Sequence, residues 1–180
     1  KHFKQGIVTD LGGTTFDISL IKNNKIPRTR ETWIGEKYRG HMTGFSSIDI
    51  RSIGAGGGSI AWIDKGGMLH VGPESAGANP GPVCYDKGGE KTTVTDAALV
   101  LGILNSDFFL GGKIKLNKNL ALKSIKNISQ KLGLNEYDTA LSILDVVTQN
   151  MAQEIKSLTI HQGINPSESL IIAGGGASGI

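Results

Sequence analysis

The chain has 180 residues, enough for one ordinary domain with its own hydrophobic core. Its 38% hydrophobic and 19% charged content is that of a globular protein, with no apolar run near the roughly 18 residues of a membrane span and no secretory signal peptide. The net charge of +3 comes from scattered lysines, which argues against nucleic acid, and the single cysteine, Cys84, cannot form an internal disulfide, which fits a reducing, cytoplasmic setting.

Ile7 to Asp10 reads as a short apolar strand. Thr14 to Ile21 alternates, with Phe16, Ile18 and Leu20 on one side, as a half-buried strand should. After the turn pair Asn23-Asn24, a third strand is expected over Lys25 to Ile34, giving an antiparallel meander. Gly35 to Ser47 is polar and expected to be loop. Ile48 to Ile53 is apolar at alternate positions. A glycine turn at Gly54 to Ser59 leads into a strand at Ile60 to Asp64, which the Lys65-Gly66-Gly67 turn joins to Met68 to Val71. Gly72 to Glu90 lacks periodicity and is expected to be a long, functional loop. The whole stretch from about residue 35 to 92 then forms a glycine-rich insertion.

From Thr95 the period becomes helical. Thr95-Asp96 is expected to cap a short helix through Leu101, and Leu120 to Leu132 is a second, amphipathic helix ended by Gly133. A long helix follows from about Glu136 to His161, with Ala140, Leu144, Val147, Met151, Ile155 and Leu158 on its core face. Gly163 stops it, and Leu170 to Ala173 reads as a buried strand. The order predicts an α/β lobe with a mixed sheet, an antiparallel meander plus a parallel strand, and flanking helices.

Glycine is the unusual component, at 26 residues, and it clusters. In Asp10-Leu11-Gly12-Gly13-Thr14-Thr15-Phe16-Asp17, two glycines let backbone N–H groups approach an anion and two hydroxyls add donors. A carboxylate closing the first strand can hold Mg²⁺ through water. The competing reading is a hairpin in which Asp10 caps the turn. Gly174-Gly175-Gly176-Ala177 follows a strand and should open a helix, whose N-terminus suits phosphate or nucleoside. Gly54 to Ser59, with Gly56, Gly57 and Gly58 at its centre, is either a second phosphate cradle or a sharp turn. Asp49 and Asp96 are further candidate carboxylates for metal or water; the competing readings are a solvated strand residue for Asp49 and a helix cap for Asp96, and for Asp96 the cap is the better reading. His41, His70 and His161 lack ligand spacing. Cys84 is either a reactive thiol or a small buried hydrophobe.

These blocks resemble the hydantoinase A/oxoprolinase family. Asp10 to Asp17 is similar to its second phosphate-binding turn, and Ser52-Ile53-Gly54-Ala55-Gly56-Gly57-Gly58-Ser59-Ile60-Ala61 to its most recognisable block. Val71 to Pro82 continues the match through Cys84-Tyr85 and Gly88-Gly89. Thr93-Val94-Thr95-Asp96-Ala97, Asn150-Met151-Ala152 and the closing glycine turn follow in order. The closing Gly-Gly-Gly-Ala-Ser-Gly departs from the more frequent Gly-Gly-Ala-Gly-Pro, which leaves the subfamily open.

The resemblance implies an actin-like, ribonuclease H-like lobe that uses ATP and Mg²⁺ to activate a cyclic amide such as 5-oxoproline or N-methylhydantoin. Acetone- and acetophenone-type ketone carboxylases are the alternative within the family, and an actin-fold sugar kinase or chaperone ATPase the alternative outside it. It implies that Asp10 is catalytic, and that Asp10 and Asp17 hold the metal. Gly12, Gly13, Thr14, Thr15, Gly56, Gly57, Gly58, Gly174, Gly175 and Gly176 would hold the nucleotide. It also implies an N-terminal lobe with an earlier Asp-Gly-Gly-Thr turn, a C-terminal remainder and a hydantoinase B-type subunit as partners. Lys1 in place of Met and the glycine turn at the other end lead to the expectation of an internal fragment.

Overall fold

The computed structural model describes residues 4–35 and 38–180. Lys1, and Glu36 and Lys37 within the expected loop, lie outside the described residues. Among the described residues, ten strands and three α-helices follow in chain order: β1 (Gln5–Leu11), β2 (Phe16–Lys22), β3 (Arg28–Thr29), β4 (Trp33–Ile34), β5 (His41–Met42), β6 (Ser47–Ile48), β7 (Ile50–Ile53), β8 (Ser59–Ile63), β9 (Leu69–Ser75), α1 (Val94–Val100), α2 (Lys118–Leu132), α3 (Glu136–His161) and β10 (Leu170–Gly174).

The main sheet has the order β10-β1-β2-β7. β1 pairs antiparallel with β2 and parallel with β10, and β2 pairs antiparallel with β7. The mixed sheet with flanking helices is therefore as the strand periodicities predict. Alternation decides its inner face. Ile7 and Thr9 of β1 and Phe16, Ile18 and Leu20 of β2 are buried, while their neighbours Asp10, Asp17 and Ser19 are not. Burying an aliphatic side chain of this size stabilises by about 1.5–3 kcal/mol. This face shares one core with α1, α2 and α3, through Leu99, Ile125, Ala140, Ile143, Val147 and Leu158.

The expected meander strand over Lys25 to Ile34 does not form as one piece. Pro27 removes a backbone donor, and Arg28 to Thr32 has no apolar side to lay on a core. The segment breaks into β3 and β4, which pair antiparallel with β6 and β5 in two small two-stranded sheets. β7 takes the third place in the sheet instead. Within the insertion at about 35–92, β7, β8 and the start of β9 stand where strands are expected, while β5 forms inside the expected loop of Gly35 to Ser47. β9 runs through Ser75, and Val83–Tyr85 forms a turn of 3-10 helix.

The helices follow the 3.6 period closely. α3 has the bounds the periodicity predicts, with Ile143 added to the buried face. Asn135 caps its start through Asp138 N–H. α2 begins two residues earlier than expected, capped by Asn117, and ends at Gly133 in the left-handed conformation. The α1 cap is Thr93 rather than Thr95-Asp96. Thr93 and Asp96 form a reciprocal capping box, with Asp96 as the third helical residue. β10 departs most from expectation: Leu170, Ile171 and Ile172 are exposed, so the apolar run reflects an uncovered edge strand.

Candidate functional site

The register of the sheet puts a polar row across its end. Asp10 lies opposite Asp17 on one side and Gly174 on the other, and Asp17 lies opposite Ser52. Residues directly opposed in a sheet share a face, with Cβ atoms about 5 Å apart. Asp10 and Asp17 therefore face the same space, away from the buried side. Asp17 is held on both oxygens, by the Ser52 hydroxyl on Oδ1 and the Thr15 hydroxyl at 3.3 Å on Oδ2. Asp10 is exposed and accepts no hydrogen bond from the described residues.

The two glycine turns meet at this end. The Ala177 N–H donates to Leu11 O at 2.9 Å, locking the turn after β10 onto the turn after β1. Gly175 has φ of +98°, and a Cβ there would collide with Leu11 O and the Asp10 carboxylate, so only glycine fits. The Gly12-Gly13 turn closes with Gly12 N–H on Thr15 O at 3.0 Å. The Gly13 and Thr14 N–H groups take no acceptor among the described residues, and both residues are exposed. Thr14 shares a 3.3 Å hydroxyl contact with Ser75 of the Val71 to Pro82 block, a residue not proposed for the site from sequence.

Gly54 to Ser59 lies directly behind this turn. The Gly57 N–H donates to Gly12 O at 3.1 Å and the Gly58 N–H to Gly13 O at 2.6 Å. The Gly56 N–H donates to the Ser59 hydroxyl at 2.8 Å. The expected second cradle thus has all three of its amides spent inside the protein. Gly57 and Gly58 still contribute to the wall of a pocket of about 280 Å³ between the two outer turns. Gly13, Gly176 and Ala177 also line it, together with Tyr85, Phe109 and Leu110.

Asp96 is a buried anchor. Its carboxylate accepts from the N–H groups of Val83 (3.3 Å), Cys84 (2.7 Å) and Thr93 (2.9 Å), and from the Thr93 hydroxyl (2.8 Å). Cys84 is fully buried, and burial, with the Asp96 charge beside it, pushes its thiol far up from the ordinary range. A thiol held protonated is a poor nucleophile, so the packing role prevails over the reactive one. Asp49 accepts from the Gln162 amide at 3.0 Å and tethers the end of α3. His70 pairs with Asp64 at 2.7 Å and stacks on Trp62, and that pairing lowers the Asp64 pKa. His161 bonds Ser157 O within α3, and His41 is exposed on β5. Among the described residues, no group of three or more His, Cys, Asp or Glu could hold a metal ion.

The sequence matches the hydantoinase/oxoprolinase family over residues 1–180. The chain belongs to that family. It is 42% identical over 175 residues to caprolactamase subunit alpha of Pseudomonas jessenii, covering 97% of this chain and 25% of that protein. To the acetophenone carboxylase gamma subunit of Aromatoleum aromaticum it is 41% identical over 177 residues, covering 97% of this chain and 24% of that one. The crystal structure of ATP-dependent caprolactamase from Pseudomonas jessenii superposes with a TM-score of 0.84 at 42% identity, over 96% of this chain and 24% of that one. The fold is thus an actin-like lobe of this family. The chain spans about a quarter of the length of these relatives.

Proposed function

We propose that the whole protein is an ATP-dependent amidohydrolase that opens a cyclic amide, and that this chain supplies one wall of its nucleotide site. The observation that carries the reading is the juxtaposition at one sheet end of free amides, a paired carboxylate row and the second glycine turn. Gly12, Gly13, Thr14 and Thr15 would receive phosphate oxygens, with the unpaired Gly13 and Thr14 N–H groups as donors. Gly174, Gly175 and Gly176 would line the nucleoside side. The adjoining pocket, walled by Tyr85, Phe109 and Leu110, is broad and apolar enough for a flat base.

Two like charges facing each other across a ladder are unfavourable unless a cation sits between or above them. Asp10 and Asp17 fit Mg²⁺ on this ground. Mg²⁺ keeps most of its water and takes one or two protein carboxylates plus phosphate oxygens, which is the donor set on offer. Asp10 is the freer ligand, and Asp17 is its oriented companion. When bound, Mg²⁺ would neutralise charge on the phosphates, and ATP would supply the phosphoryl group that turns a poor amide electrophile into one open to water. The residues of this chain position those groups and exclude alternatives. The buried, lone Cys84 fits the cytoplasmic setting expected for such an enzyme.

A ketone carboxylase is the second reading, favoured by the near-equal identity to an acetophenone carboxylase subunit. A separate partner subunit is part of both readings. The deciding experiment is ATP turnover of the whole protein with its co-expressed neighbours, against a panel of lactams and hydantoins, and against ketones with bicarbonate. Stimulation by cyclic amides alone is expected. Stimulation only by ketone plus bicarbonate would replace the first reading with the second.

A further inference from the structure

Ala55 to Ile60 is buried without a break, although the turn it forms adjoins an open site. What it touches is the phosphate turn itself. Gly57 and Gly58 donate to the carbonyls of Gly12 and Gly13. A trans peptide carries its C=O and N–H on opposite sides, and only Gly72-Pro73 and Asn79-Pro80 are cis among the described residues. Holding the Gly12 and Gly13 carbonyls from behind therefore turns the Gly13 and Thr14 N–H groups outward, where the described residues offer them no acceptor.

The bracing peptides are themselves held from behind. Gly57 O, in the peptide that carries the Gly58 N–H, accepts from the Thr95 N–H at 2.8 Å and the Thr95 hydroxyl at 2.7 Å, and Gly56 O, in the peptide that carries the Gly57 N–H, accepts from the Ser59 N–H at 3.0 Å. Each outward amide thus ends a chain of aligned hydrogen bonds, which polarise one another. The fit leaves no room for side chains. A Cβ on Gly56 would lie 2.7 Å from both Gly12 O and Thr14 N, and one on Gly58 2.8 Å from Gly13 O. Those neighbours are backbone and move only if the turn moves. Gly57 differs, since its Cβ would meet the Thr95 hydroxyl at 3.1 Å.

We propose that the Gly56 to Ser59 turn positions the phosphate-binding amides rather than binding phosphate, aiming the Gly13 and Thr14 N–H groups by fixing the carbonyls behind them. This rests on the ATP reading above. The test is calorimetric binding of ATP and of adenosine to the whole protein, in wild type, Gly56→Ala, Thr95→Val and Thr95→Ser. Gly56→Ala should lose about tenfold or more in ATP affinity, the scale of one hydrogen bond to a charged group, while adenosine affinity holds.

Thr95→Val removes one donor to Gly57 O without adding volume, and should shift the ATP-to-adenosine ratio the same way by a smaller factor. Thr95→Ser keeps the hydroxyl and should restore it. If Gly56→Ala does not fold, the Thr95 pair decides. Equal loss of ATP and adenosine affinity, or an unchanged ratio in the variants, overturns the proposal while leaving the ATP reading in place. A wild-type protein that binds adenosine as well as ATP overturns the ATP reading itself, and this inference with it.

Discussion

Asp10 and Asp17 lie directly opposite each other across the β1–β2 ladder, yet they are held differently. Asp17 is fixed by Ser52 and Thr15, whereas Asp10 is exposed and has no protein donor among the described residues. Changing Asp10 to Asn should therefore leave the fold intact, because no hydrogen bond among the described residues depends on its charge. In the whole protein, Asp10→Asn should cut ATP turnover at least about tenfold, equivalent to roughly 1.4 kcal/mol of transition-state stabilisation. Thermal melting alongside steady-state kinetics checks both halves, and wild-type turnover would return Asp10 to turn capping. The motif of residues 10–17 was legible as two acidic ends around a glycine turn. That Ser52 completes the row was not, because register with a strand residue 35 positions away is a tertiary fact.

At the scale of elements, the structure turns on how one helix start supports the site. Asp96 belongs to the capping box of α1, but its carboxylate also gathers the 3-10 turn at Val83–Tyr85. That turn presents Tyr85 toward the pocket, and the neighbouring Thr95 holds Gly57. Asp96→Ala would leave the buried N–H groups of Val83, Cys84 and Thr93 without their acceptor. Each buried donor left unpaired costs about 1–3 kcal/mol, so a loss of at least about 3 kcal/mol is expected. Denaturant unfolding of the chain would measure it, and a loss under about 1 kcal/mol, the scale of an ordinary helix cap, would reduce Asp96 to that role. Periodicity located α3 well because a long amphipathic helix repeats its signal many times. It misplaced the third strand because Lys25 to Ile34 is extended without an apolar face, and extension alone does not decide which partner a strand takes. Phe109 and Leu110 carry no motif, and that Tyr85 of the Cys84-Tyr85 block joins them at one pocket was not legible, since packing alone brings the three together.

The whole molecule presents its candidate site from one side. Gly13, Thr14, Asp10 and Gly174 to Gly176 are exposed, and β10 beside them has no covering layer among the described residues. The actin-like relatives are about four times as long, so this lobe corresponds to part of a larger enzyme in each of them. Phosphoryl transfer depends almost wholly on positioning and on charge placed around the transferring group, with in-line attack and departure held by donors on more than one side. A cradle open to water on its far side holds phosphate in a high dielectric, where each donor contributes little. We therefore expect the isolated chain to bind ATP weakly, through the Gly12 to Thr15 turn and the adjoining pocket, and to release no phosphate above background. The measurement is a sensitive phosphate-release assay on the purified chain with Mg²⁺, with and without a lactam such as 5-oxoproline. Lactam-stimulated release that vanishes in Asp10→Asn would mean that one wall suffices, and that the remaining three quarters of the relatives' length serves something other than closing this site.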